Sequence, residues 1–556
     1  MEMFVGTPSY QVLAEAFAAE GVDTVFSLTG DGNMYWEAAF AVLPGVRTIG
    51  VRHEHCAAAM ATAYARVTET VGVASVTCGP GLTQISTALA IAARARIPLV
   101  VLAGESPLHA GWFNQVIDQG PIAQAPGARY IAVHSTKRLQ QYVAEAFYFA
   151  KSGRQPVVIG VPFDLQKEIV EHVPDHVPSS WFMPDAGPRY PHPDYVAAAV
   201  DRIAAAKRIV IMGGRGARLA GAEDACLRLA ELTNGALSTT LTARGLFAGS
   251  PREIGASGSF SHPVTGEAFA ASDLVIAVGA ELNNYSSDAG RLFTSADVLQ
   301  IDHNPTGFSR GRKTADQVLA ADAKLGVEAV IREIEARGQT VERPDWGVEA
   351  FAQRVRSEAV DTRAYPVPEG TVDPRDVVQV LDRALPKDWN IVNSSGHCSF
   401  FTAHIHDHAA DRFLTIREFG AIGNGLPYAI GMAMARPDQP TVLLEGDGGM
   451  MMHIQELETV KRYGWKMLFC ILNDGAYGAE IHKLRADGMD ERGAVHGRND
   501  MARMAEGFGL RSHIVRDSAD LPALIEEFER SEGSMLLDIQ ISDEVVSPRM
   551  AKAVAR

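Results

Sequence analysis

An α/β fold in three doubly wound parallel-sheet domains is the architecture this sequence predicts, and three observations predict it. The length, 556 residues, suggests three or so domains. Two polar, proline-rich stretches, residues 171–192 and 341–371, divide the chain. Short apolar runs, such as residues 442–444 and 467–472, stop in Gly446-Asp447-Gly448-Gly449 and Asn473-Asp474-Gly475, with Ile454, Leu457 and Val460 at helical spacing between them. That is a βαβ unit. It sets both acidic clusters at the carboxyl ends of parallel strands, where open α/β sheets bind ligands.

From the start, residues 10–17 read as a helix leading to a strand at 24–26, which ends in Thr29-Gly30-Asp31-Gly32-Asn33. Further strand-like runs at 74–77, 99–103 and 157–161, separated by Ala-rich helical segments, complete a first domain over residues 1–172. Beyond the first linker, the run 209–212 enters Gly213-Gly214-Arg215-Gly216, and runs at 274–278 and 298–302 make a Rossmann-like middle domain over 193–338. A third domain, 370–545, opens with VDPRDVVQVLDRAL (372–385), and its first strand ends in Asn393-Ser394-Ser395-Gly396-His397-Cys398, a second turn suited to a diphosphate. Residues 546–556 form a tail read as a lid, with fraying the plainer expectation. No tandem sequence repeat is evident.

Composition sets the outer limits. With 47% apolar and 21% charged residues the chain is an ordinary globular one, and a net charge of −16 argues against nucleic acid or an anionic membrane as its partner. Five scattered cysteines without a Cys-x-x-Cys pair, an N-terminus without a basic and apolar leader, and no apolar run of about 18 residues point to a cytoplasmic enzyme acting on a small molecule.

The chemistry-bearing residues follow from these turns. The glycines at 446, 448 and 449 allow a tight turn whose N–H groups suit an anionic diphosphate. Asp447 and Asp474 supply hard oxygens for Mg2+. In isolation, His53-Glu54-His55 reads as a helix start, Asp31 as a turn residue capping the helix from Met34, and Glu480 as an exposed helix residue pairing with Lys483 or His482. Arg215, Arg218, Arg244, Arg310, Arg312 and Lys313 are either phosphate receivers or a solvated surface.

On these residues the chain resembles the thiamine diphosphate (ThDP) enzymes of the acetolactate synthase, pyruvate decarboxylase and 2-hydroxyacyl-CoA lyase group. VRHEHCAAAMATAYAR (51–66) resembles the family's Arg-His-Glu region and TCGPGLTQ (77–84) its Gly-Pro-Gly turn. PVVIGVPFD (156–164) is similar to the strand closing its first domain, GAIGNGLP (420–427) to the segment beneath the cofactor, and Gly-Asp-Gly followed by Asn-Asp to its metal motif. The resemblance covers nearly the whole chain, in the order pyrimidine-binding, middle and diphosphate-binding domain.

What it implies is specific. Glu54 is the carboxyl that shares a proton with the aminopyrimidine, as a buried glutamate of raised pKa. Asp447, Asp474 and the Ala476 carbonyl bind the metal, Asp474 standing where the family carries Asn and Asn473 being the alternative. Gly79, Gly396, His397, Cys398, Gly446, Gly448, Gly449, Tyr477 and Gly478 line the cofactor, and Ile422 is the wedge between its rings. Asp31, Gln115 and Glu480 face the substrate, and Glu491, in the charged and mobile loop 484–500, is a further proton-transfer candidate. The middle domain holds ADP, coenzyme A or nothing, without a basis for FAD, and Arg549 and Lys552 of the tail meet a CoA phosphate. Cleavage of a 2-hydroxyacyl-CoA to formyl-CoA and an aldehyde or ketone is the first expectation. Acetolactate synthase-like carboligation or 2-oxo acid decarboxylation is the second, and a catalytically dead nucleotide-binding regulator the third. Active sites are expected between the subunits of a homodimer or homotetramer.

Overall fold

The structure, a computed structural model, describes residues 6–338 and 344–555. Each domain is built on a six-stranded parallel sheet. In the first, β1 (Thr24–Ser27), β2 (Arg47–Gly50), β3 (Gly72–Val76), β4 (Leu99–Glu105), β5 (Arg129–Ala132) and β6 (Pro156–Pro162) lie in the order β2-β1-β3-β4-β6-β5. The middle sheet runs β9-β8-β7-β10-β11-β12, from β7 (Ile209–Gly213), β8 (Ala236–Thr239), β9 (Glu253–Ala256), β10 (Leu274–Val278), β11 (Asp297–Asp302) and β12 (Gln317–Ala320). This is the doubly wound dinucleotide-fold order. The third sheet, from β13 (Asn390–Asn393), β14 (Phe413–Leu414), β15 (Thr441–Gly446), β16 (Met467–Asn473), β17 (Arg511–Val515) and β18 (Met535–Gln540), runs β14-β13-β15-β16-β18-β17. Its winding repeats that of the first sheet strand for strand.

The inner strands carry unbroken apolar runs because helices cover both faces of a parallel sheet. β4, β6, β15 and β16 are buried along nearly their whole lengths. In the βαβ unit read from the sequence, β15 and β16 are parallel neighbours, Thr441 opposite Met467 and Gly446 opposite Leu472. The connecting pattern divides into α4 (Asp447–Met452) and α5 (Glu456–Tyr463).

In both outer domains the helix returning from the edge strand starts near the site: α1 (Glu54–Thr68) follows β2, and α3 (Gly425–Ala435) follows β14. These two helices pack on each other. At their contact a Cβ on Gly431 would stand 2.4 Å from the Met60 carbonyl oxygen and 2.8 Å from the Ala63 Cβ. One apolar core runs through the seam, from Phe26 and Ile49 in the first domain to Ile430, Leu443 and Phe469 in the third. The middle domain keeps its own cores on the two faces of its sheet.

Two expectations about connections are corrected. The stretch read as a second linker contains the helix Val348–Ser357, whose Val348 and Ala352 fill a middle-domain core, while residues 339–343 lie outside the described ones. The tail does not fray. α7 (Pro548–Val554) buries Met550 and packs on α2 (Cys398–Thr402) and α6 (Gly478–Ala486). Among the described residues no helix is long and apolar enough to cross a membrane.

Candidate active site

The carboxyl ends of β13, β15 and β16 bring the third-domain residues together. Asp447 is 1% exposed at the first position of α4, with its Oδ2 accepting from the Gly475 N–H at 3.1 Å. Asp474, the first residue past β16, accepts from the Ala476 N–H at 3.1 Å and faces the Asp447 carboxyl. Burial raises Asp447 to about 6, and burial together with the Asp447 charge pushes Asp474 well above the carboxylate range. Two facing carboxyls with no cation between them retain a proton that a divalent ion would displace.

The rest of the donor set fits a hard metal. Among the described residues the Ala476 carbonyl accepts no hydrogen bond, while its neighbours Gly475 and Tyr477 bond His496 and Ala494 across an isolated bridge to Val495. Asn473 Oδ1 is buried and without a partner among the described residues, while its amide nitrogen is engaged, donating to Asp538 Oδ1 at 2.9 Å and to the Asn499 carbonyl at 3.1 Å.

The cofactor-lining glycines stand where side chains would collide. A Cβ on Gly478 would lie 2.5 Å from Asp474 Oδ2 and 3.0 Å from His397 Nδ1, and one on Gly448 would lie 2.9 Å from the Tyr477 ring. The positive φ of Gly396, 105°, brings its turn to Ile422, whose Cγ2 lies 3.7 Å from the would-be Cβ, and Cys398 Sγ lies 3.3 Å from that of Gly446. His397 Nε2 accepts from the Ser547 N–H at 3.1 Å, so the tail is tied to this turn.

A second cluster forms at the carboxyl ends of β1, β3 and β4. Cys78 Sγ donates to Gln115 Oε1 at 3.0 Å, the Gly79 N–H donates to Gln119 Oε1 at 2.9 Å, and a Cβ on Gly79 would meet the Gln115 carbonyl oxygen at 2.3 Å. Asp31 is exposed beside them. It does not cap its helix, because Asn33 occupies the cap position and turns its own Oδ1 to the Gly30 N–H. Among the described residues no hydrogen bond or ion pair joins Asp31, Gly79 or Gln115 to the loop of Asp447 and Asp474.

Glu54 begins α1 between them, half-buried and without a hydrogen-bond partner among the described residues. The expectation of a buried Glu54 is thus not met within one chain, since the first residue of α1 emerges at the domain edge. Its neighbours are engaged with the third domain: His55 Nε2 lies 2.7 Å from Asn424 Oδ1, and the His55 and His453 rings stack at 4.9 Å. His453 Nδ1 donates to the Gly423 carbonyl at 2.6 Å, so this histidine pair brackets the segment holding Ile422.

Three further expectations change. Glu491 is held by Arg485 at 2.6 and 3.0 Å, which keeps its carboxyl below the usual range. Its loop is anchored by the bridge to Ala476 instead of hanging free. Glu480 is exposed and pairs with Lys483 at 3.3 Å, the plainer of its two readings. The middle-domain cations are largely committed: Arg215 bonds the Ala95 carbonyl, Arg244 the Ile405 carbonyl, Arg312 the Asn284 side chain and Lys313 the Asp316 carboxylate. Cavities of about 140 Å³ between Leu282, Phe293 and Arg312 and about 240 Å³ between Leu227, Phe247 and Arg252 open in the same domain.

Sequence reasoning missed Glu445 and Glu456. Glu445, the penultimate residue of β15, is fully buried, accepting from Ser394 Oγ at 2.6 Å, and burial raises it to about 7. Glu456, read as part of a polar helix face, is buried where α5 meets the first domain, accepting from the Arg52 N–H at 2.9 Å. A partner so distant along the chain leaves no local signal.

This fold, with a paired-carboxylate turn at its strand ends, is that of a thiamine pyrophosphate enzyme, and the chain belongs to that family: its N-terminal TPP-binding model matches residues 9–122, its central-domain model 196–330 and its C-terminal TPP-binding model 394–539. Among curated proteins the chain is similar over its length to acetolactate synthases. The probable acetolactate synthase large subunit of Methanococcus aeolicus is 27% identical over 96% of this chain and 91% of its own. The acetolactate synthase isozyme 3 large subunit of Escherichia coli K12 is 28% identical over 98% and 95%, and the large subunit from Parasynechococcus marenigrum 29% over 95% and 86%.

Proposed function

We propose that the protein is an acetolactate synthase-like carboligase that joins 2-oxo acids, using ThDP and Mg2+. The observation that carries the cofactor assignment is the buried, facing pair of carboxyls Asp447 and Asp474 beside a turn of glycines. The substrate class is supported by the near full-length similarity to proteins named acetolactate synthase. The 2-hydroxyacyl-CoA reading takes second place, because the similar proteins are named acetolactate synthase.

When bound, ThDP supplies a carbon nucleophile and an electron sink. Asp447, Asp474 and the Ala476 carbonyl hold the metal, and the turns at Gly396 to Cys398 and Gly446 to Gly449 receive the diphosphate. Ile422 sets the ring angle, and Glu54 holds a proton against the pyrimidine nitrogen. Gln115, whose Oε1 is taken by Cys78, turns its amide Nε2 to the substrate, with Asp31 beside it. The working unit in this reading is a dimer, with Glu54 of one subunit completing the metal loop of the other. The exposed apolar loop around Trp112 and Val116, 79% and 65% exposed, suits that contact.

The test is mass spectrometry of pyruvate incubated with the protein, ThDP and Mg2+. Acetolactate is expected, with turnover falling about 10²–10⁴-fold in Glu54→Gln. Absence of a carboligation product from a panel of 2-oxo acids would overturn the assignment.

A further inference from the structure

Arg417 sits in the loop between β14 and α3, and nothing in the site as described uses it. Its Nε donates to the Ser394 carbonyl at 3.0 Å, at the start of the turn that ends in Cys398. The guanidinium stacks near Phe260 of the middle domain, 5.1 Å from the ring centre, and Phe400 of α2 at 5.7 Å. Both terminal nitrogens are sealed from water and without a partner. Burial draws the group down to about 10, and the titratable groups that bear on it are Cys398 and Tyr285. The nearest carboxylate in sequence, Glu418, is committed to Arg66 and Arg215.

A buried cation with two unpartnered donors costs several kcal/mol unless an anion completes it. The planar fork between two rings offers its edge to a carboxylate or phosphate in bidentate geometry. In the proposed reaction two anions are candidates, the diphosphate of the cofactor and the carboxylate of the substrate. Phe260 of the middle domain lies against the guanidinium, and Tyr285 of the same domain, 6.3 Å from the Phe260 ring, bears on it electrostatically. The neighbours Ser394, Phe400 and Phe260 set Arg417 where the third domain meets the middle one.

We infer that Arg417 is the receptor for the carboxylate of a 2-oxo acid substrate, seated between Phe260, Tyr285 and Phe400. This rests on the proposed reaction for the identity of the anion, but not for the presence of a receptor. The experiment compares wild type, R417Q and the charge-preserving R417K, all loaded with ThDP and Mg2+. Pyruvate and its carboxylate-free counterpart acetaldehyde are titrated, and the melting temperature is followed. In wild type, pyruvate raises the melting temperature and acetaldehyde does not; R417Q loses the pyruvate shift, while R417K keeps part of it. KM for pyruvate rises about 10–100-fold in R417Q, the worth of a charge-assisted pair, with kcat within a few fold and ThDP affinity unchanged. A fall in ThDP affinity with the pyruvate shift intact would assign the fork to the diphosphate and overturn the inference, as would a pyruvate shift equal in all three proteins or absent from wild type. If wild type shows the Arg417-dependent shift but no carboligation, the receptor stands and the proposed reaction fails.

Discussion

The side chains of Asn473 and Asp474 leave the end of β16 in different directions, and their substitution separates two kinds of loss. Asp474→Ala removes a facing carboxylate, and Mg2+ affinity in the presence of ThDP, read by calorimetric titration, falls by more than the roughly 10–100-fold that loss of a merely supporting group costs. Asn473→Ala leaves that affinity in place but destabilises the fold by about 1–3 kcal/mol, since Asp538 and the Asn499 carbonyl lose a buried donor. Equal Mg2+ affinity in Asp474→Ala and wild type would sink the assignment. The same pair dictates a pH dependence. Because the carboxyls of Asp447 and Asp474 are raised in the folded chain, the folded state holds protons that the unfolded state has released from about pH 4 upward, and metal-free stability falls as pH rises to about 6 for Asp447 and on beyond that for Asp474. Mg2+ takes the place of those protons. Its thermal stabilisation is therefore larger at about pH 8 than at about pH 5, and an equal shift at both would contradict the arrangement.

The seam between α1 and α3 is tight because Gly431 has no side chain. A methyl there meets a backbone carbonyl oxygen at 2.4 Å and the Ala63 Cβ at 2.8 Å, and neither can swing away. Gly431→Ala accordingly costs about 1–3 kcal/mol, read as a lowered melting temperature. Gly266, on the helix Pro263–Ala271, has nothing within 4 Å of its would-be Cβ, so Gly266→Ala raises stability by about 0.4–1 kcal/mol. What was legible in the sequence follows the same physics. Residues 99–103, 157–161 and 467–472 announced inner strands, since burial on both faces demands continuous apolar residues. The edge strands β2 and β5 were passed over, because Arg47 and Arg129 belong to strands half open to solvent. Within the site, glycine turns and carboxylates at strand ends carried a local signature. Arg417 and Glu456 did not, for each is defined by groups from another domain.

Three sheets are organised as a pair and a single. The first and third share their winding and one core across the α1–α3 seam, while the middle domain, with separate cores, is held to them largely by polar contacts such as Arg215 to the Ala95 carbonyl and Arg244 to the Ile405 carbonyl. Scanning calorimetry of the apoprotein should therefore resolve two transitions, one for the outer pair and one for the middle domain. A single two-state transition would show that the polar contacts bind all three into one cooperative unit.

The α1–α3 seam also limits how a reactant can arrive. Domains that share a core cannot part on the timescale of turnover without exposing it, so the first and third are not the two leaves of a door. Traffic is left to the margins: the middle domain, tilting on its polar contacts, and α7, tied to His397 by the single Ser547 N–H.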